Sequence, residues 1–329
     1  MIITKTPFRV SFAGGGTDLR EFYSKEEGAV LSTTIDKYMY IAMHRYFEKK
    51  IMLKYSKTEI VDFPEQIEHK LIRECFLKTN TREPIEMTSF ADIPSSGTGL
   101  GSSSAFDVGL LKALYTYKGK NKENITLAEE ACEIEIEMLK EPIGKQDQYA
   151  CAVGGFNLIK FNPDESVFVE PLVIPLKIKR ALDENLVMFY TGITRSASSI
   201  LTKQKKECTK EDKFRNLVKM RDLAFELRDS LISGDITSFG SILNKGWMLK
   251  KELASGISNA EIDGYYNKAL SLGAAGGKIL GAGGGGFFLF YCPTEKQEIL
   301  RKNLGLRKMK FRFEPQGSRI IYSEDDYDE

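Results

Sequence analysis

"IPSSGTGLGSSSAFDVG" (residues 93–109) alternates Gly97, Gly99 and Gly101, adds Ser102, Ser103 and Ser104, and continues into an apolar run. Phe106, Val108, Leu110, Leu111 and Leu114 have the spacing of a largely buried helix that ends near Gly119. "IEMTSFADIP" (85–94) before the loop reads as a strand. Two phosphate-binding signatures can be tested on this strand–loop–helix order. A GxxxxGK[ST] loop counted from Gly97 meets Ser102 and Ser103 where glycine and lysine belong. GxGxxG fails because its last glycine would be Ser102. That failure argues against a nicotinamide oxidoreductase.

What remains can hold an anion without a lysine. The first N–H groups of a helix have no partner inside it, and the helix dipole makes that end positive. A phosphate satisfies both, and glycines let it come close. The serine hydroxyls add ligands for phosphate oxygens or Mg²⁺. A flexible, self-capped turn would use the same residues, so the stretch alone leaves both readings open.

Toward the N-terminus, "FRVSF" places Phe8, Val10 and Phe12 on one face and Arg9 and Ser11 on the other, the pattern of a half-buried strand. "AGGGTDL" (13–19) breaks it, and "YMYIAMHRYF" (38–47) follows as a second strand, with "KIMLKYS" as its hairpin partner. Residues 65–80 read as helical. "ITLAEEACEIEIEMLKEP" carries a capping-box signature, Thr126 with Glu129, and should be helical to about Leu139 before Pro142. "IGKQDQYACAVGG" starts another helix; "FNLIKF" and "VFVEPLVIPL" return to strand. Beyond residue 180 come a strand ("NLVMFYTG"), an amphipathic helix ("KFRNLVKMRDLAFELRDSLISG"), more helix to about Leu272, and a third glycine cluster, "GAGGGGF" (281–287), leading into an apolar strand. A helix and two strands close the chain before an acidic tail, "SEDDYDE", that reads as disordered. The mixed order of elements predicts an α+β fold, divided into residues 1–180 and 181–329.

The acids are ambiguous alone. Asp147 sits between Gln146 and Gln148 beside Lys145, as a positioned base or a surface carboxylate. Glu133, Glu135 and Glu137 would ordinarily mark a solvated helix face, although one could reach a metal.

Composition narrows the class. The 47 basic and 46 acidic residues leave a net charge of +1, which argues against a broad nucleic-acid surface. Five widely spaced cysteines without a CxxC pair read as reduced thiols of a cytoplasmic protein, and two histidines leave little for a metal site or a Ser-His-Asp triad. No apolar run nears the ~20 residues of a membrane span.

In combination the motifs become specific. "PFRVSFAGGGTD", "PSSGTGLGSSSA" and "KILGAGGGGF" resemble, in order and across nearly the whole chain, the three motifs of the GHMP kinases. The resemblance implies a two-domain fold, an N-terminal domain like the second domain of ribosomal protein S5 and a ferredoxin-like C-terminal domain, with the site between them. It implies ATP-dependent phosphorylation of a small-molecule hydroxyl. Gly97, Thr98, Gly99, Leu100, Gly101, Ser102, Ser103 and Ser104 would wrap the ATP phosphates, with Ser103 and Glu135 holding Mg²⁺. Asp147 would be the base and Arg9 its partner at the transferred phosphoryl group. Gly15, Gly16, Thr17 and Asp18 of the first motif and Gly283 and Gly284 of the third would bind substrate.

Galactokinases carry Glu-His where this chain has Gly15 and Gly16, which speaks against galactose. "AGGGTD", "GKQDQY" and "TGITRSASS" look more like the bacterial D-glycero-D-manno-heptose 7-phosphate kinases, which phosphorylate the anomeric hydroxyl on a route to surface polysaccharide. Arg195 is then a candidate for the substrate anion, or a plain surface arginine. The expected partner is a small sugar phosphate, with no nucleic acid and no membrane, and the protein a monomer or homodimer. Another sugar kinase, for fucose or galactose, and a non-catalytic ATP and sugar sensor are the alternatives.

Overall fold

The alternation around Arg9 forms β1 (Ile2–Ala13), antiparallel to the long β2 (Gly28–Arg45) in a computed structural model that describes residues 1–94, 97–193 and 197–324. Phe8, Val10 and Phe12 are fully buried, as the pattern predicts. The opposite face is not solvated: Arg9 and Ser11 are each 4% exposed. Arg9 packs against Asp147 and the Gly99 carbonyl of the same half, and Lys278 of the second half reaches across to the Ser11 carbonyl at 2.8 Å.

β3 (Ile51–Lys54) forms a hairpin with β4 (Thr58–Val61) but does not pair with β2 as expected. It lies parallel to β5 (Ile85–Ala91), which takes the place beside β2. β6 (Asn157–Phe161) pairs with the start of β2 and with β7 (Val167–Pro171). A second sheet holds β8 (Leu186–Tyr190), β9 (Gly276–Ile279), β10 (Phe287–Tyr291) and β11 (Arg307–Met309) in the order β11-β8-β10-β9, all antiparallel. That is the ferredoxin-like order expected for this half. The fold is α+β, as the sequence predicts.

The chain end then returns. β12 (Phe313–Glu314) pairs with β2 and β13 (Arg319–Ser323) with β1. We therefore propose the division near residue 180 with the last two strands contributing to the first sheet. Helix Glu211–Ser233 also ties the halves: Leu217 and Met220 join the core around Trp247, Tyr266 and Phe288, while Leu223, Leu227 and Leu231 join the core under the first sheet.

Two local expectations change. Helix Asn124–Cys132 is preceded by Glu123 at its N-cap, so Thr126 lies inside it and caps nothing. Asn124 instead ties this end to the rest of the fold, donating to the Ala152 carbonyl at 2.7 Å. Leu176–Asn185, whose start was read as strand, is a helix that buries Ile178 and Leu182. All five cysteines are buried and unpaired, and no described helix is long and apolar enough to cross a membrane.

Candidate active site

The three glycine clusters meet at one cleft of about 530 Å³. The central loop enters helix Ser102–Tyr117 through Gly101, whose φ of 75° is left-handed, and no side chain caps the first turn. A Cβ on Gly101 would stand 3.1 Å from Arg9 Cγ and 3.4 Å from Asp147 Oδ2. The third cluster packs on this loop backbone to backbone. A Cβ on Gly99 would lie 2.3 Å from the Leu280 carbonyl oxygen, and one on Gly286 would lie 2.5 Å from the Thr98 carbonyl oxygen. Much of the close approach that these glycines permit is therefore of one loop to another. Gly99→Ala, at φ 75° and against backbone, should lose about 2 kcal/mol or more of stability in denaturant unfolding.

Arg9 reaches from β1 and grips Asp147 with two bonds, Nε to Oδ1 and Nη2 to Oδ2, each 2.7 Å. Its third nitrogen donates to the Gly99 carbonyl, so the ion pair is locked to the central loop. Such a bidentate pair fixes both groups in orientation as well as distance.

Glu135 owes its position to a π-helical turn, Glu133–Met138, in which Leu139 N–H donates to the Ile134 carbonyl five residues back. Such turns are frequent at functional sites. Glu133 and Glu137 stay exposed while Glu135 is 1% exposed. It accepts from Ser103 at 2.6 Å, Ser104 at 2.7 Å and Gln148 Nε2 at 2.6 Å. Burial pushes its carboxyl up to about 6 against those three bonds. Among the described residues no group of three or more His, Cys, Asp or Glu gathers. One carboxylate with adjacent hydroxyls is the sparse oxygen set that suits Mg²⁺ when phosphates and water complete its shell.

Asp18 is buried on the other side of the pair. It accepts from Gly16 N–H at 2.8 Å and from Gln146 Nε2 at 3.0 Å, and burial, then the nearby Asp147 charge, push its carboxyl up. Helix Gln146–Val153 thus serves three subsites with consecutive residues, Gln146 to Asp18, Asp147 to Arg9 and Gln148 to Glu135. The 100° step of a helix permits this.

Arg9, Gly15, Gly16, Asp18, Gly97, Thr98, Gly99, Gly101, Ser102, Ser103, Ser104, Glu135, Asp147 and Gly283 line the cleft. Leu100, Thr17 and Gly284 do not line it. Leu100 is core, Thr17 staples the first loop through the Gly14 and Ala29 carbonyls, and Gly284 donates to Ile257. Arg195 lies outside the described residues, as do the last five residues of the acidic tail. Gln204 and Lys250, both buried and both lining the cleft, belong to no motif that marks them in the sequence. Gly16 has a φ of 102°, a backbone conformation that favours glycine, and a Cβ there would also stand 2.6 Å from the Gln204 amide nitrogen.

The family model for the GHMP kinases N terminal domain matches residues 66–155, and that for the GHMP kinases C terminal matches residues 227–305. Over 313 residues the chain is 33% identical to the D-glycero-alpha-D-manno-heptose 7-phosphate kinase of Campylobacter jejuni, covering 91% of this chain and 92% of that protein. The chain belongs to the GHMP kinases. It is also 27% identical to the galactokinase of Pyrococcus furiosus, over 91% of each chain. A D-glycero-D-manno-heptose 1-phosphate kinase structure from Bacteroides thetaiotaomicron matches this GHMP kinase with a TM-score of 0.80 at 25% identity, covering 98% of this chain and 100% of that one. As a GHMP kinase the protein is a phosphotransferase that draws on ATP, with Mg²⁺ as the family's general metal.

Proposed function

We propose that this GHMP kinase phosphorylates the anomeric hydroxyl of D-glycero-D-manno-heptose 7-phosphate, giving the 1,7-bisphosphate for nucleotide-activated heptose and surface polysaccharide. The observation that carries the reading is the Arg9–Asp147 pair, held between the central glycine loop and the Asp18–Gln146 side of the cleft. The loop 97–104 and the uncapped helix start suit the ATP phosphates. Ser103 and Glu135 would hold Mg²⁺, which offsets phosphate charge when bound. The acceptor would lie against Gly15, Gly16, Asp18 and Gly283. Asp147 takes the hydroxyl proton as the oxygen forms its bond to phosphorus and ADP leaves. Arg9 keeps the Asp147 carboxylate aimed.

Three things support heptose phosphate. Gly15 carries no side chain, and a Cβ there would meet nothing closer than 3.8 Å, which leaves room for a larger acceptor. The 33% identical relative bears that activity in its name. Arg195, itself outside the described residues and two positions before Ala197, which lines the cleft, is the candidate for the acceptor's own phosphate.

The test is ADP release across sugars and sugar phosphates, with NMR assignment of the phosphorylated carbon. Heptose 7-phosphate should exceed galactose and fucose by about tenfold or more in kcat/KM. A preference for an unphosphorylated sugar would replace this acceptor with another sugar. ATP binding without turnover of any sugar would favour a sensor.

A further inference from the structure

One buried cation in the cleft has no place in the scheme above. Lys250, on helix Phe239–Lys251, is 6% exposed and lines the cleft. Among the described residues its ammonium makes one hydrogen bond, to the Gly281 carbonyl, and no ion pair. Lysine is almost never buried so fully without a partner, because a desolvated ammonium is unfavourable and carries three donors. Burial, then the nearby Arg9 charge, push Lys250 down to about 8. Lys278 is a useful contrast. It is buried too, yet donates to the Ser11 and Phe12 carbonyls at 2.8 and 3.2 Å, and so acts as a strut between the two halves.

The attachment point of Lys250 locates what it faces. Gly281 packs on Gly99, where a Cβ added to Gly281 would lie 2.4 Å from Gly99 Cα. The Gly99 carbonyl holds Arg9. Two cations from opposite halves of the chain are therefore anchored on the two carbonyls of one backbone contact, where the central and third glycine clusters meet. The carboxylates that attract Lys250, Asp18 and Asp147, are each engaged elsewhere.

We infer that Lys250 is a second cation for the transferred phosphoryl group, contacting the terminal phosphate of the bound nucleotide. The inference rests on the kinase reading. A compact ammonium at that position acts as a point charge where charge develops in phosphoryl transfer. It also gives the third glycine cluster a function that its own backbone does not supply, since Gly281 presents the carbonyl that aims the lysine.

The test compares binding of AMP-PNP and ADP, each with Mg²⁺, to the full chain and to Lys250→Met, Lys250→Gln and Lys250→Arg by calorimetry, alongside steady-state kinetics. Both neutral variants should weaken AMP-PNP about tenfold or more and leave ADP within about twofold. Their kcat should fall about a hundredfold or more while KM for the acceptor holds within about threefold. Lys250→Arg should recover part of the preference for the triphosphate analogue. Equal weakening of both nucleotides would overturn the inference in favour of a structural role. Unchanged nucleotide binding with a raised acceptor KM would overturn it in favour of an acceptor-anion site. Wild-type protein that binds AMP-PNP but phosphorylates nothing would instead defeat the kinase reading, and the nucleotide comparison would still decide where Lys250 points.

Discussion

Asp147→Asn should lower kcat by about 10²–10⁴-fold, the range for loss of a general base, while Mg²⁺–AMP-PNP affinity stays within about twofold. The asparagine has nearly the same shape and leaves the central loop untouched. It can offer Arg9 only one acceptor where the carboxylate offered two at 2.7 Å. Arg9 is almost fully buried, so a donor left unpaired should also lower stability by about 1–3 kcal/mol. The Gly99 carbonyl still holds one nitrogen and limits the drift of the guanidinium. Single-turnover phosphorylation with calorimetric binding separates the chemical loss from the structural one. Full activity would remove Asp147 as the base and move attention to Asp18, the buried carboxylate across the same helix end.

The proposed donor side was far more legible in the sequence than the proposed acceptor side, for a physical reason. A loop that must accept close backbone contact needs glycine, and Gly97, Gly99, Gly101, Gly281 and Gly283 all show left-handed φ. Composition therefore exposes it. The strand face carrying Phe8, Val10 and Phe12 was legible for a similar reason, since period two survives any packing partner. Arg9 and Ser11 were not, because tertiary contacts from residues distant in sequence, such as Gly99 and Asp147 on Arg9, cover a face that looks half-buried locally. Glu135 was hidden among three alternating glutamates, since only the π-helical turn decides which one faces inward. Thr126 with Glu129 matched a capping box by spacing, yet the helix begins earlier, where Asn124 donates to the Ala152 and Ser318 carbonyls, distant in sequence. Lys250 and Gln204 lie on helices whose polar positions read as solvated. Their burial is created by tertiary contact alone, as is the return of β12 and β13 to the first sheet.

Glu135→Gln should make the nucleotide-free protein more stable at pH 8 and nearly abolish turnover. The carboxyl titrates near 6 in the fold against 4.5 as its ordinary value, because burial disfavours its charge. Between those values the folded state holds more protons than the unfolded one, so stability falls as pH rises through that window. Above it the full penalty persists, about 2 kcal/mol from the shift. Glutamine carries no such penalty, and the Ser103 and Ser104 hydroxyls can rotate to suit an amide. At pH 8 the variant should melt higher by several degrees, at about 2–4 °C per kcal/mol, and near pH 4.5 the difference should vanish. Its kcat should fall about a hundredfold, in keeping with the several kcal/mol a metal supplies to transition-state charge. Mg²⁺–AMP-PNP should then raise the melting point of the wild type more than that of the variant, because only the wild type gains a countercharge for its buried carboxylate. A variant with no added stability at pH 8, or with undiminished Mg²⁺-dependent turnover, would show that Glu135 is a structural acceptor for the two serines. The predicted result would mean that one buried charge both weakens the empty fold and prepares it for a cation.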